Sequence, residues 1–274
     1  MKKFLILIVL FPVLVKSQNT TDQREITPRQ QKQLERKKKI DQIIKQEEEG
    51  ALVYQKQGEF GFKLNTDGWS ILYEHGKYKT ITKSNLWWVE LGERKDKKEE
   101  KLSKSSSVFP GLAIGNPFVY GKINNFYYLK LGIARQLLLG GKGNKNGVAV
   151  SFIYGGGLSL GMLKPYYLEV QDPTTGQITD VKYDGKNDTT FLNPNVINGA
   201  SGFGKGFGEI KYVPGALVRT ALRFEYGRYN EVVSALEVGI NAEYYTQDMQ
   251  ILAYNNPTKL FFNAYVALVF GKRK

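Results

Sequence analysis

The chain carries one histidine, His75, and no cysteine. Those two facts limit the chemistry before any fold is considered. A hydrolase built on His75 would need a nucleophile and an orienting acid beside it. Ser70 and Glu74 lie near in sequence, but side chains alternate along a strand, and alternation puts both on the face opposite His75. His75 therefore reads as a rim or lipid-interface residue, with a lipid-modifying barrel enzyme as the alternative. Metal binding would fall to carboxylates, and no stretch has the Asp-rich spacing of a calcium loop. No cofactor and no metal are expected.

Two glycine-rich stretches look like phosphate loops. Residues 202–208 lack the spacing of the dinucleotide fingerprint and sit in no strand–helix unit. They read as a flexible outer loop, with Phe203 and Phe207 exposed to a partner or to lipid. Residues 140–143 lack the Ser or Thr of a P-loop and read as a turn.

The remaining chemistry is charge set into apolar strands. Glu59, Lys63, Glu74, Glu90, Lys130, Arg219, Arg223, Glu225, Glu237 and Glu243 each fall on the face opposite an apolar run. Six are acids and four are bases. An eight-stranded barrel is only wide enough for side chains to fill it. An unpaired charge in so narrow a space is costly. The expectation is a plugged lumen in which Arg219 and Arg223 bridge several glutamates. A narrow ion path is the alternative.

The elements that must position these charges are period-2 runs. They cover 59–64, 69–74, 87–92, 127–134, 148–160, 216–226, 232–244 and 260–270. The last alternates Leu260, Phe262, Ala264, Val266, Leu268 and Phe270 against polar or small residues. The longer runs match the roughly ten residues that a tilted strand needs to cross a bilayer. A soluble barrel would alternate in the same way with its faces exchanged, so the start of the chain decides. Lys2 and Lys3 precede an apolar run, 4–15, too short to span a bilayer, and residues 1–17 read as a signal peptide, with an uncleaved anchor as the alternative. No other long apolar run follows, which leaves a secreted soluble protein or a membrane barrel. With 29 Gly and 13% aromatics, the composition suits short twisted strands.

The domain reading is a signal peptide at 1–17, a partly helical periplasmic extension at 18–57 and a barrel at 58–274. Long outer loops fall at 93–122 and 163–214. In the extension, Leu34 and Ile43 lie on a thin apolar stripe that serves either a solvated arm or a partner-docking helix. The Asp67-Gly68 pair marks a hairpin. The net charge of +13 points to lipid head groups or anionic proteins rather than nucleic acid in an exported chain. The Lys-rich stretch 94–104 either faces lipopolysaccharide or is a solvated run.

Several of these pieces together resemble a family. Residues 119–126 lead into the fourth strand, Gly155-Gly-Gly-Leu-Ser-Leu-Gly161 runs toward Pro165-Tyr166, and residues 235–240 and 255–273 complete the pattern. Over 60–273 the chain resembles the Bacteroidota-type outer-membrane β-barrel proteins. The last strand ends on Phe270 with a basic tail beyond it, a departure from barrels that end on the aromatic. The resemblance implies an all-β fold: a closed antiparallel transmembrane barrel of eight strands with a short N-terminal helical extension. It implies no enzymatic activity. It implies an accessory role beside other outer-membrane proteins, since some similar barrels serve the machinery that inserts such proteins. Short connections near 78–84, 140–147 and 227–231 alternate with mostly longer ones, which places both termini in the periplasm, and outer-membrane lipid and lipopolysaccharide are expected around the wall. A pore or a soluble secreted barrel are the other readings.

Overall fold

A computed structural model of the chain describes residues 28–48, 54–105, 113–143, 147–227 and 231–274. The expected signal peptide and the extension up to residue 27 lie outside them. Helix α1 (Pro28–Glu48) starts on the proline, whose fixed φ suits the first helical turn. Leu34 is exposed on it. The side chain of Ile43 is outside the described residues.

The strands follow in order. They are β1 (Lys56–Asn65), β2 (Gly68–Thr80), β3 (Lys83–Arg94), β4 (Lys101–Ser105), β5 (Ala113–Val119), β6 (Asn124–Gly140) and β7 (Ala149–Pro165). Then come β8 (Tyr167–Gln171), β9 (Ile178–Lys182), the short helix α2 (Asp188–Phe191), β10 (Ile197–Ala200), β11 (Lys211–Glu225), β12 (Val232–Met249) and β13 (Thr258–Arg273). Eight of them close a barrel in the order β1-β13-β12-β11-β7-β6-β3-β2, with every ladder antiparallel. Closure leaves the barrel no free edge, the condition for crossing lipid with strands.

Burial along these strands is inverted relative to a soluble protein. Ile133 is 73% exposed on the outer wall, whereas Lys63 inside is 0% exposed. On β13 the exposed series runs from Leu260 to Phe270. Ten residue steps at about 3.3 Å, tilted about 40°, give a band about 25 Å tall, the height of a transmembrane barrel's apolar wall. The described residues contain no helix long and apolar enough to cross a membrane; the crossing elements are the strands.

Connections divide cleanly by end. Residues 81–82, 141–148 and 226–231 join strands at the end where β1 begins and β13 finishes. Residues 66–67, 95–123, 166–210 and 250–257 join them at the other end. The tight β1–β2 turn requires its glycine. Gly68 has φ +155°, and a Cβ there would sit 2.0 Å from the Glu93 carbonyl oxygen.

Three expectations need correction. The stretch 93–122 begins as strand, because β3 runs on to Arg94, and it also contains the β4–β5 hairpin. The stretch 163–214 holds a three-stranded sheet ordered β10-β8-β9, whose small core gathers Phe118, Leu168, Val170, Phe191 and Ile197. Finally, the last strand does not stop at Phe270. Gly271, Lys272 and Arg273 pair with Glu59, Gly58 and Gln57, so most of the basic tail is strand.

Candidate functional site

Alternation on eight tilted strands turns one side chain in two toward the axis, so the lumen is written strand by strand. All ten charges read from the alternation are buried there, each no more than 5% exposed. Arg223 and Arg219 occupy the centre. The Arg223 guanidinium reaches Glu59 Oε2 at 2.6 Å and Glu237 Oε2 at 2.6 Å, and also touches Glu74. Arg219 binds Glu74 Oε1 at 2.8 Å and contacts Glu237. Its Nε donates to the Tyr265 hydroxyl at 2.8 Å, which donates onward to Glu237 at 2.6 Å. A planar five-donor fork can serve several carboxylates at once, which a single ammonium cannot.

From there the pairing continues toward the long-loop end. Lys63 Nζ stands 3.8 Å over the Tyr265 ring and 2.8 Å from Glu90 Oε2. Lys130 lies between Glu90 at 3.4 Å and Glu243 at 2.7 Å. Arg94 Nη2 binds Glu243 at 2.8 Å, while its Nε makes an ion contact with Asp67 at 2.6 Å without hydrogen-bond alignment. At the short-turn end, Glu225 is held by Arg273 Nη1 at 2.9 Å and by Lys142 at 3.2 Å. Arg273 Nε also donates to the Tyr78 hydroxyl at 2.6 Å.

The sequence reading missed four members of this network: Asp67, Arg94, Lys142 and Arg273. Two carried a usable signal. Arg94 continues the inward series Glu90, Gly92, and Arg273 continues Val269, Gly271. With these four, seven carboxylates (Glu59, Asp67, Glu74, Glu90, Glu225, Glu237, Glu243) meet seven cations (Lys63, Arg94, Lys130, Lys142, Arg219, Arg223, Arg273). Among the described residues these charges balance, seven against seven, within a chain of net charge +13. Neutral groups fill the rest. Trp88 is 1% exposed against Gly132, where a Cβ would come within 2.3 Å of the indole. Phe126, Tyr245 and Phe261 pack edge to face at 5.5–5.8 Å and belong to the apolar cluster at the long-loop mouth.

Outside the lumen the other expected residues separate. His75 is half-buried on the outer wall, 5.7 Å from the Trp87 ring, its cross-strand partner. Ser70 and Glu74 are inside, committed to Glu90 and to the two arginines. Phe203 and Phe207 are exposed and stack edge to face at 5.3 Å. They do not sit on an open loop. Lys164 Nζ lies 4.3 Å from each ring and donates to the Phe203 carbonyl at 2.5 Å. Glu209, just beyond, accepts from Lys182 and then Tyr167, which holds its carboxyl below the usual range. A cleft of about 360 Å³ opens beside them, lined by Tyr127, Lys164, Tyr166, Tyr167, Ser201 and Phe203 among others. Among the described residues, no group of three or more His, Asp or Glu could hold a metal ion.

No protein-family model matches the chain, and no curated protein matches it. Solved structures do. Neisserial surface protein A (NspA) is 10% identical over 81% of this chain and 97% of its own, with a TM-score of 0.36. The N-terminal barrel domain of Pseudomonas aeruginosa OprF is 8% identical over 80% and 97%, with a TM-score of 0.35. Ail, the attachment invasion locus protein of Yersinia pestis, solved with the heparin analogue sucrose octasulfate, is 11% identical over 81% and 100%, with a TM-score of 0.34. The fold assignment rests on the closed register and the inverted burial described above.

Proposed function

We propose that the chain is an integral outer-membrane barrel of the Bacteroidota type, without enzymatic activity, that acts as a structural or accessory subunit of an outer-membrane complex. The observation that carries this reading is the lumen. Among the described residues, fourteen balanced charges and the aromatic cluster at the long-loop mouth fill the axis, as expected of an eight-stranded barrel that side chains close to substrate. What it offers is a rigid lipid-facing anchor that holds a folded cap at one end. The cap, with Phe203 and Phe207 on its surface, and helix α1 are the parts left to meet partners. The short turns and both chain ends belong in the periplasm on this reading, and the cap faces outward. Assembly of other outer-membrane proteins is the process such a subunit would serve.

The test is purification. The chain is tagged after Lys274, extracted in mild detergent, and its companions are identified. A stoichiometric complex with other outer-membrane proteins is the expected result. A lone barrel that shifts on heating but brings nothing with it overturns the accessory role. Planar-bilayer recordings check the seal: the purified chain gives no stable conductance steps, and regular steps would overturn the plugged lumen.

A further inference from the structure

The outer wall ends differently at its two rims. At the short-turn end, five adjoining strands carry outward cations at the rim of the apolar wall; in barrel order they are β13, β1, β2, β3 and β6. Lys272 follows Phe270, Lys56 precedes Phe60, Lys77 and Lys79 follow His75, Lys83 precedes Trp87, and Arg135 lies between Ile133 and Leu137. All six are exposed. No acid faces outward on these strand ends; Glu59 and Glu74 point inward to Arg223. None of the six makes an ion pair among the described residues. Lys56 and Lys77 are direct cross-strand partners, a like-charged pair that is unfavourable by itself. The other three strands have Val148, Tyr226 and Val232 at or next to their ends instead. At the long-loop end, exposed charges of both signs are mixed, and some pair, as Lys182 does with Glu209 and Lys205 with Asp180 at 2.7 Å.

We propose that this one-sided arc binds the phosphates of anionic glycerophospholipids in the leaflet that adjoins the short turns. The inference rests on the membrane-spanning reading above. It names lipid as occupant because the arc is continuous with the apolar wall, where acyl chains must already lie. Long basic side chains at such a rim lay their stems on the wall and lift their charge to head-group level. An anionic lipid there relieves the unpaired cations, including the facing pair Lys56 and Lys77. Each base near an anionic surface contributes about fivefold in local enrichment.

The experiment uses the full chain in phosphatidylcholine nanodiscs doped with spin-labelled phosphatidylglycerol or spin-labelled phosphatidylcholine. The motionally restricted fraction of each probe is read. The anionic probe is expected at several times the zwitterionic one, falling toward parity in high salt and in the K56Q/K77Q/K83Q/K272Q variant. A charge-matched variant at the other end, K95Q/K97Q/K98Q/K211Q, keeps the preference. Parity in the unaltered chain overturns the proposal, as does equal loss in both variants, which would trace the effect to net charge. Parity together with an acidic protein held by the four lysines assigns the arc to a protein instead. Failure to enter the discs as a heat-shifting barrel is a separate result, and it overturns the membrane reading itself.

Discussion

Arg223 shows how much a single residue can hold. Its guanidinium serves Glu59, Glu74 and Glu237, all buried. Arg223→Met would take the guanidinium from Glu59 and leave Glu74 and Glu237 to Arg219, with all three carboxylates buried. Removing one partner of a buried ion pair costs about 3–5 kcal/mol. The unfolding free energy from a urea titration, read as loss of the heat-shifted band, is expected to fall by that amount. Arg223→Lys keeps the charge but not the fork, and belongs between the two. Adding Glu59→Gln to Arg223→Met removes one stranded charge and should recover part of the loss. An Arg223→Met chain as stable as the original would mean that the network carries no strength at its centre.

At the scale of elements, the cap and the barrel make different demands. Phe191 is 0% exposed in the cap core, packed with Leu168, Val170 and Ile197. Phe191→Ala should cost that core about 3–5 kcal/mol. Protease cutting within 166–210 should accelerate while the barrel's heat shift stays in place; a matching fall in barrel stability would show that cap and barrel fold as one unit. The cap also has a pH dependence with a definite sign. Lys205 and then Ser201 hold the Asp180 carboxyl below its ordinary 3.8, and Lys182 and then Tyr167 hold Glu209 below its ordinary 4.5. Lowered pKa values stabilise the fold fully above those ordinary values, and the gain is lost as pH falls through the folded ones. Protection factors in β8 and β9, with exchange normalised to the intrinsic rate at each pH, should therefore fall in acid, and less so in the D180N/E209Q variant; identical acid profiles would remove these two pairs as the cause. The barrel strands were legible because period 2 survives whatever the partners are: Lys63, Glu90 and Arg219 fall on the inner face by counting alone. The cap strands were not, because β8, β9 and β10 are four or five residues long and their apolar residues face a local core without a sustained period. Strand ends were missed for a related reason. Arg94 and Arg273 are charged, and a charge at the edge of an apolar run reads as loop unless its phase is followed.

For the whole molecule, the division of connections between the two ends fixes which parts face which compartment. Short turns and both strand termini share one end; the cap and its cleft share the other. Hairpins cross a bilayer more easily behind short turns than behind a folded cap, but transmembrane barrels of this kind keep long loops outside and short turns in the periplasm, and their closed ladders then prevent inversion. The chain has no cysteine of its own, so introduced ones report without background. Thr82 lies exposed in the β2–β3 turn and Thr174 exposed in the β8–β9 turn. In intact cells, a membrane-impermeant maleimide should label Thr174→Cys and leave Thr82→Cys unlabelled. After the outer membrane is permeabilised, both should react. Labelling of Thr82→Cys alone in intact cells would invert the barrel, carrying the cationic arc to the outer leaflet and the cap to the periplasm. Equal labelling of both before permeabilisation, together with release of the chain without detergent, would take it out of the membrane altogether.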